Sequence, residues 1–148
     1  MRVLLDTNVI VRFLTGDHPT HSPRSRKLFA CAAAGDVTLV VTDLAMAETA
    51  WVLQSFYSLD RDAITAALKD LIDSAGIEVE NKATLLSALR NFAQTDVNFV
   101  DAYHAAIAAA KSIAIVSFDR DFDQFAGVKR VEPQNYSRSL TWSEPSVF

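Results

Sequence analysis

One cysteine and three histidines in 148 residues exclude two common kinds of small-domain chemistry. Cys31 has no partner for an intramolecular disulfide, and its setting in the alanine-rich "FACAAAG" reads as a buried, inert thiol. A zinc centre built on cysteine and histidine is excluded by the same shortage, because the histidines are scattered and no second cysteine exists to complete a ligand set. No apolar run approaches the roughly 20 residues needed to span a bilayer, and the N-terminus lacks the charged, apolar, then small pattern of a secretory signal. The expectation is a cytoplasmic chain with no membrane partner. Repeats and low-complexity tracts are also missing, so nothing suggests a solenoid or a linker-rich assembly.

What is present is ordinary globular material. Half of the residues are apolar and 22% are charged, and the length suits one domain with a real core. The net charge of −4 argues against a protein that coats nucleic acid by bulk electrostatics, but leaves a local basic groove open. Residues 1–27 carry Arg2, Arg12, Arg24, Arg26 and Lys27 against Asp6 and Asp17, so the N-terminal region could form a basic rim or simply solvated helix faces.

Short β-rich runs alternate with helical patterns. The spacing predicts a strand over Val3–Leu5, a helix through "TNVIVRFLTG" stopped by Gly16, and a second helix from Arg24 to Ala34 ended by Gly35. A strand follows at Val37–Val41, then helices over Asp43–Tyr57 and Asp60–Ser74, and the short strand Ile77–Val79. Helices over Ala83–Gln94 and Asn98–Lys111 lead to a third clear strand at Ile113–Phe118, one or two helical turns in "RDFDQF", and an edge strand in "VKRVEP" ended by Pro133. This alternation argues for an α/β fold, a three-layer α/β/α sandwich with a mainly parallel central sheet. The predicted domain covers residues 1–136, with an irregular tail over 137–148.

Four acids then fall in informative places. In open parallel sheets, functional groups gather beyond the carboxyl ends of the strands, where Asp6 and Asp119 both fall. Glu48 shares a helix face with Leu44, Ala45, Trp51 and Val52, an acid on an apolar stripe. Asp101 opens a helix whose next turns on the same face are Ala105, Ala108 and Ala109, small residues that permit close approach. Acids aimed at one place repel each other, and burying an unpaired carboxylate costs several kcal/mol. A hard divalent cation such as Mg²⁺ suits such a set, since it takes oxygen ligands and keeps several waters.

Together "LLDTNVIV" at 4–11, "TDLAMAETAWVL" at 42–53, "VNFVDAYHAAIA" at 97–108 and "IVSFDRDFDQF" at 115–125 resemble the PIN domain, especially the VapC-type toxins of toxin–antitoxin pairs, over residues 1 to about 133. The resemblance implies a metal-dependent endoribonuclease using Mg²⁺ or Mn²⁺, with Asp6, Glu48, Asp101 and Asp119 as its four acids. Asp6 and Asp101 would be the principal ligands, Asp119 a further ligand or support for a second ion, and Glu48 the acid that orients or deprotonates the attacking water. Thr7 resembles an assisting hydroxyl and Asn8 an amide holding Asp6 in place. Ser117 stands where the family often has threonine, and a hydroxyl is retained. Asp119 directly follows the strand and is favoured over Asp121, which reads as a charge at a helix N-terminus. Arg12 and Arg120 could meet RNA phosphates or simply solvent. The resemblance also implies a homodimer, a cognate antitoxin that blocks the site, and structured or translation-linked RNA as substrate.

Each acid has a plainer reading. Asp6 could be a strand-end residue accepting backbone hydrogen bonds, Asp101 a helix cap and Asp119 a turn residue. Glu48 resists this, because a cap would sit at Thr42 or Asp43. His104 reads as a surface group, and Trp51, Phe56 and Tyr57 as core or dimer-contact residues. Two further functions compete with the nuclease: a non-catalytic RNA- or protein-binding module with the same fold, and an aspartyl-phosphate phosphatase, which usually wants a second acid where Asn8 stands.

Overall fold

The computed structural model describes residues 1–136. The expected tail over 137–148 lies outside the described residues. Strands β1 (Arg2–Leu4), β2 (Thr38–Val41) and β3 (Ile77–Val79) form one parallel sheet in the order β1-β2-β3, and β4 (Ile115–Val116) pairs in parallel with β5 (Arg130–Val131). Around them lie α1 (Thr7–Thr15), α2 (His21–Ala33), α3 (Asp43–Ser55), α4 (Arg61–Asp73), α5 (Lys82–Gln94) and α6 (Phe99–Lys111). Two consecutive helices cross from β1 to β2 and two from β2 to β3, as parallel pairing requires, and two more lead from β3 to β4 in the second ladder. The result is the expected α/β sandwich, with its parallel strands in two ladders.

The elements follow from local chemistry. Thr42, Asp60 and Asn98 each accept a backbone N–H of the first turn of α3, α4 and α6, so these helices start at a defined residue. Helix α2 begins at His21, three residues earlier than the spacing predicts. Pro23 falls in its first turn, where a missing N–H costs nothing. The cap is unusual: His18 Nδ1 accepts from the N–H groups of Thr20 and His21, while Ser22 Oγ accepts from the N–H of His18.

Several expected burials differ. Alternation in β1 sends Val3 and Leu5 inward and leaves Leu4 72% exposed. The predicted six-residue strand Ile113–Phe118 shortens to β4, because Ile113 and Phe118 are exposed at its ends and find no partner strand. Cys31 is half-buried rather than buried.

The core runs through Ile10, Leu39, Met46, Leu53, Ile64, Leu68, Leu85, Leu89 and Phe92, which join the sheet to helices on its flanks. Two contacts set the position of α6. Tyr103 donates its hydroxyl to Asp43 of α3. Burial first, then that bond and the charges of Asp43 and Glu80, push the phenol up to about 12. Arg61 of α4 donates to the carbonyls of Phe92, Asp96 and Val97 at 3.0, 2.7 and 2.6 Å and lies 4.4 Å from the Phe92 ring centre. It thereby closes the C-terminal end of α5 and holds the turn into α6.

Two glycines separate backbone conformation from space. Both Gly35 and Gly76 have positive φ, at +86° and +80°, but a Cβ on Gly35 would meet nothing, whereas on Gly76 it would lie 2.3 Å from the Ala32 carbonyl oxygen. Gly35→Ala should therefore cost about 1 kcal/mol of left-handed strain. Gly76→Ala should lose about 2–4 kcal/mol, since backbone overlap adds to the same strain. Denaturant unfolding of the pair measures both, and equal losses would refute the close approach of β3's entry to α2.

Candidate active site

Asp6 lies at the junction of β1 and α1, in extended conformation, as the residue before the first helical turn. Its carboxylate makes no capping hydrogen bond, so the plainer strand-end role is not what occupies it. Asp6 is also exposed, and the desolvation cost expected from its apolar neighbours is not incurred. One residue on, the buried Thr7 donates its hydroxyl to Glu48 Oε2 at 2.7 Å. That bond ties the first crossover to α3 and leaves Glu48 Oε1 without a hydrogen bond among the described residues.

Glu48 itself is exposed, and of its stripe only Ala45 belongs to the core. Leu44 is 79% exposed and Trp51 57%, because α3 packs inward through Met46, Thr49, Ala50 and Leu53 instead. Trp51 and Phe56 thus leave the expected core and meet edge to face at 5.5 Å on the surface, while half-buried Tyr57 hydrogen-bonds to Asp17.

Glu48 is nonetheless the hinge of the site. A cavity of about 670 Å³ is lined by Asp6, Thr7, Asn8, Arg12, Asp17, Glu48 and Tyr57. A second of similar volume, about 670 Å³, is lined by Glu48, Leu44, Trp51, Asn98, Val100 and Asp101. Glu48 therefore borders the Asp6 cavity on one side and the Asp101 cavity on the other.

Asp101 stands in the first turn of α6 without being its cap. Asn98 caps the helix by accepting the Asp101 N–H at 2.9 Å, and returns a bond from Nδ2 to Asp101 Oδ2 at 2.6 Å. One carboxylate oxygen is held and the other is left open. Asp119 does take a structural part: its Oδ1 accepts the Asp121 N–H at 2.8 Å and opens a short 3-10 turn, Arg120–Gln124. Ser117 Oγ accepts the Asp119 N–H at 3.0 Å and so shapes the same turn.

Asp119 lines neither of these two cavities. The link runs through charge. The Asp121 carboxyl is held above its ordinary value by Asp119 foremost, then by burial, Asp96 and Asp101. This places the 119–121 turn in the field of the α6 acids. Asp96 and Asn98 carry no separate signal in the sequence beyond the start of a helix. Asn8 lines the first cavity together with Asp6 and makes no hydrogen bond to it among the described residues. Arg12 reaches that cavity while bonded to Asp17 and Tyr57, and Arg120 stands exposed on the 3-10 turn. His104 is exposed, as expected.

Among the described residues, no three His, Cys, Asp or Glu side chains converge into a ready-made metal site. The donors nevertheless fit a hard cation. All are carboxylate oxygens, Glu48 and Asp101 each keep an oxygen free, and the raised Asp121 reports uncompensated negative charge. Mg²⁺ usually takes only one or two carboxylates directly and completes its shell with water and phosphate, so no tight protein cage is required.

The chain belongs to the PIN domain family, whose model matches residues 3–128. It is 29% identical over 139 residues to Ribonuclease VapC31 of Mycobacterium tuberculosis strain CDC 1551 / Oshkosh, and equally to Ribonuclease VapC31 of strain ATCC 25618 / H37Rv; each alignment covers 88% of this chain and 97% of the relative.

The crowding has a measurable pH signature. Because the folded state holds the Asp121 proton more tightly than the unfolded chain does, this group's contribution to stability falls as pH rises from 3.8 through the raised value. Asp121→Asn should thus raise the melting temperature of the metal-free protein at neutral pH, by on the order of 1 °C for a surface charge. The gain should vanish below pH 3.8, where the carboxyl is protonated in both states. A variant that melts lower at neutral pH would contradict the crowding.

Proposed function

We infer that this chain is a metal-dependent endoribonuclease, the toxin of a toxin–antitoxin pair, hydrolysing RNA phosphodiester bonds with Asp6, Glu48, Asp101 and Asp119. The observation that carries the reading is the double exposure of Glu48, which lines one cavity with Asp6 and a second with Asp101. Membership of the PIN domain family and similarity to Ribonuclease VapC31 support it. The partners are then RNA and a cognate antitoxin, and the setting is the cytoplasm. Among the described residues no helix is long and apolar enough to cross a membrane.

Asp6 and Asp101 would hold the Mg²⁺ or Mn²⁺, with Asp119 and Asp121 close behind. When bound, the ion supplies Lewis acidity toward the phosphate and makes a nearby water more acidic. The protein's own groups do the rest. Thr7 fixes Oε2 of Glu48, so Oε1 is presented as the acceptor for a proton from the attacking water. Water oxygen bonds to phosphorus, the bond to the leaving ribose oxygen breaks, and that oxygen takes its proton from solvent. Asn98 Nδ2 holds Oδ2 of Asp101 while its Oδ1 accepts the Asp101 N–H, so the acid needs little reordering when substrate arrives.

RNA incubated with the protein and Mn²⁺ should be cut, and EDTA should stop the cutting. Asp6→Asn and Glu48→Gln should each lower the rate by about 10²- to 10⁴-fold, as loss of a ligand or general base does. Wild-type protein that retains RNA uncut in Mn²⁺ would instead support the non-catalytic binding module.

The same reading includes a homodimer. Leu44, Trp51 and Phe56 on and just after α3, with Val100 on α6, leave large apolar side chains exposed on adjacent helices. Exposed patches of this kind mark protein contacts. Light scattering should give a dimer for the wild type and a monomer for Leu44→Glu/Trp51→Glu. A wild-type monomer at tens of micromolar would remove the dimer from the proposal.

A further inference from the structure

Arg12 is half anchored and half open. Its three hydrogen bonds all leave from Nη1: to Asp17 Oδ1 at 2.9 Å, Asp17 Oδ2 at 3.2 Å and the Tyr57 hydroxyl at 3.2 Å. Tyr57 in turn donates to Asp17 Oδ2 at 2.7 Å, and Thr15 Oγ1 donates to Asp17 Oδ1 at 2.8 Å. The Asp17 carboxyl is accordingly held down to about 2, by Tyr57 first, then Thr15 and Arg12. It stays ionised at any physiological pH and keeps its grip. Nε and Nη2 of Arg12 donate to no acceptor among the described residues.

The open edge has a defined place. Arg12 lines the cavity that holds Asp6 and Glu48, and it also lines a neighbouring groove of about 570 Å³ between α1 and α2. Arg24 and His21 line that groove as well, without a carboxylate. The wall shared by an acidic cavity and a basic groove is thus a guanidinium with two adjacent donors free. Paired donors of this kind match two oxygens of one phosphate.

We propose that Arg12 is a preset clamp for one RNA backbone phosphate next to the scissile bond, with Asp17 and Tyr57 as its positioning residues. This rests on the nuclease reading above and deepens it by giving the strand a path from the acidic cavity, over Arg12, into the groove beside Arg24. Asp17 and Tyr57 hold Nη1 without covering the free edge, so the guanidinium is preset by geometry and still meets one phosphate with its charge, a local contact open to a chain whose net charge is −4.

A short single-stranded RNA of defined sequence, bearing one neutral methylphosphonate at each position in turn, tests the clamp. Arg12→Ala should raise KM about tenfold or more with a smaller change in kcat, and should reduce the salt dependence of RNA binding by about one phosphate, a slope change near 0.7 for a single strand. The methylphosphonate next to the cut should weaken the wild type but not Arg12→Ala, so the two losses do not add. Tyr57→Phe, which removes only the hydroxyl, should move KM in the same direction by less. Arg12→Lys should not restore the wild-type value, because an ammonium cannot take two oxygens in the same way.

Lys69→Ala, on α4 and paired with Asp73, controls for generic loss of charge. If wild type cuts RNA while Arg12→Ala keeps the wild-type KM, salt slope and methylphosphonate profile, the clamp is overturned and the nuclease stands. If RNA is bound but never cut, and Arg12→Ala still lowers the slope, the clamp stands and the nuclease falls. An Arg12→Ala protein with unchanged RNA behaviour and lost antitoxin binding overturns the proposal in favour of a protein-facing role. Should Arg12→Ala fail to fold, Tyr57→Phe and the wild-type methylphosphonate profile decide it alone: no position-specific loss refutes the clamp.

Discussion

The hydrogen bond from Thr7 to Glu48 is the constraint on which the site depends. A buried hydroxyl at the first residue of α1 reaches across to an exposed carboxylate in the middle of α3. It joins the first crossover to the second, and so brings the ends of two parallel strands into one working surface. Without it, Glu48 would be an ordinary solvated glutamate on an outward helix face. With it, one carboxylate oxygen is fixed and the other is presented, and each cavity has a common corner.

Asp6 and Glu48 beside this corner are not buried, and neither is Asp119, so their cost differs from the one their apolar surroundings suggest. Desolvation is small because Asp6, Glu48 and Asp119 remain exposed. Mutual repulsion is what persists, and it registers at Asp121, where Asp119, Asp96 and Asp101 all act in the same sense. The backbone supplies the compensation it can. Asn98 Nδ2 donates to the Asp101 carboxylate, the Asp121 N–H donates to Asp119, and Asp101 lies at the positive end of α6. Arg130, by contrast, is spent on Asp123 and Glu132 and on the Ser117 carbonyl. The local excess of negative charge is thus a built property of this end of the sheet.

Much of this was legible in the amino-acid order, for identifiable reasons. Helices announce themselves through capping residues, and Thr42, Asp60 and Asn98 all stand where the chain turns helical. Parallel strands announce themselves through apolar runs separated by more than a hairpin. Asp6 and Asp101 could be picked out because strand ends and helix starts are short-range features. The outward turn of Leu44 and Trp51 could not, since periodicity gives a face but not which neighbour covers it. The Arg12, Asp17 and Tyr57 cluster was equally hidden: Tyr57 lies 40 residues from Asp17, and only the packing of α1 against α3 brings them together. The short β4 is a third case, because a largely apolar six-residue run promises a strand but pairing decides its length.

Arg61 carries a consequence for how such a protein would be dissected genetically. It sits on α4, away from both cavities, yet its guanidinium grips the carbonyls around Asp96 and Val97 that lead directly into Asn98 and Asp101. A screen for harmless alleles would recover changes there beside changes in the acids themselves. Ranking such hits by surface exposure or by distance to substrate would file a loop anchor among unexplained losses, whereas following carbonyl acceptors back from Asp101 leads straight to it.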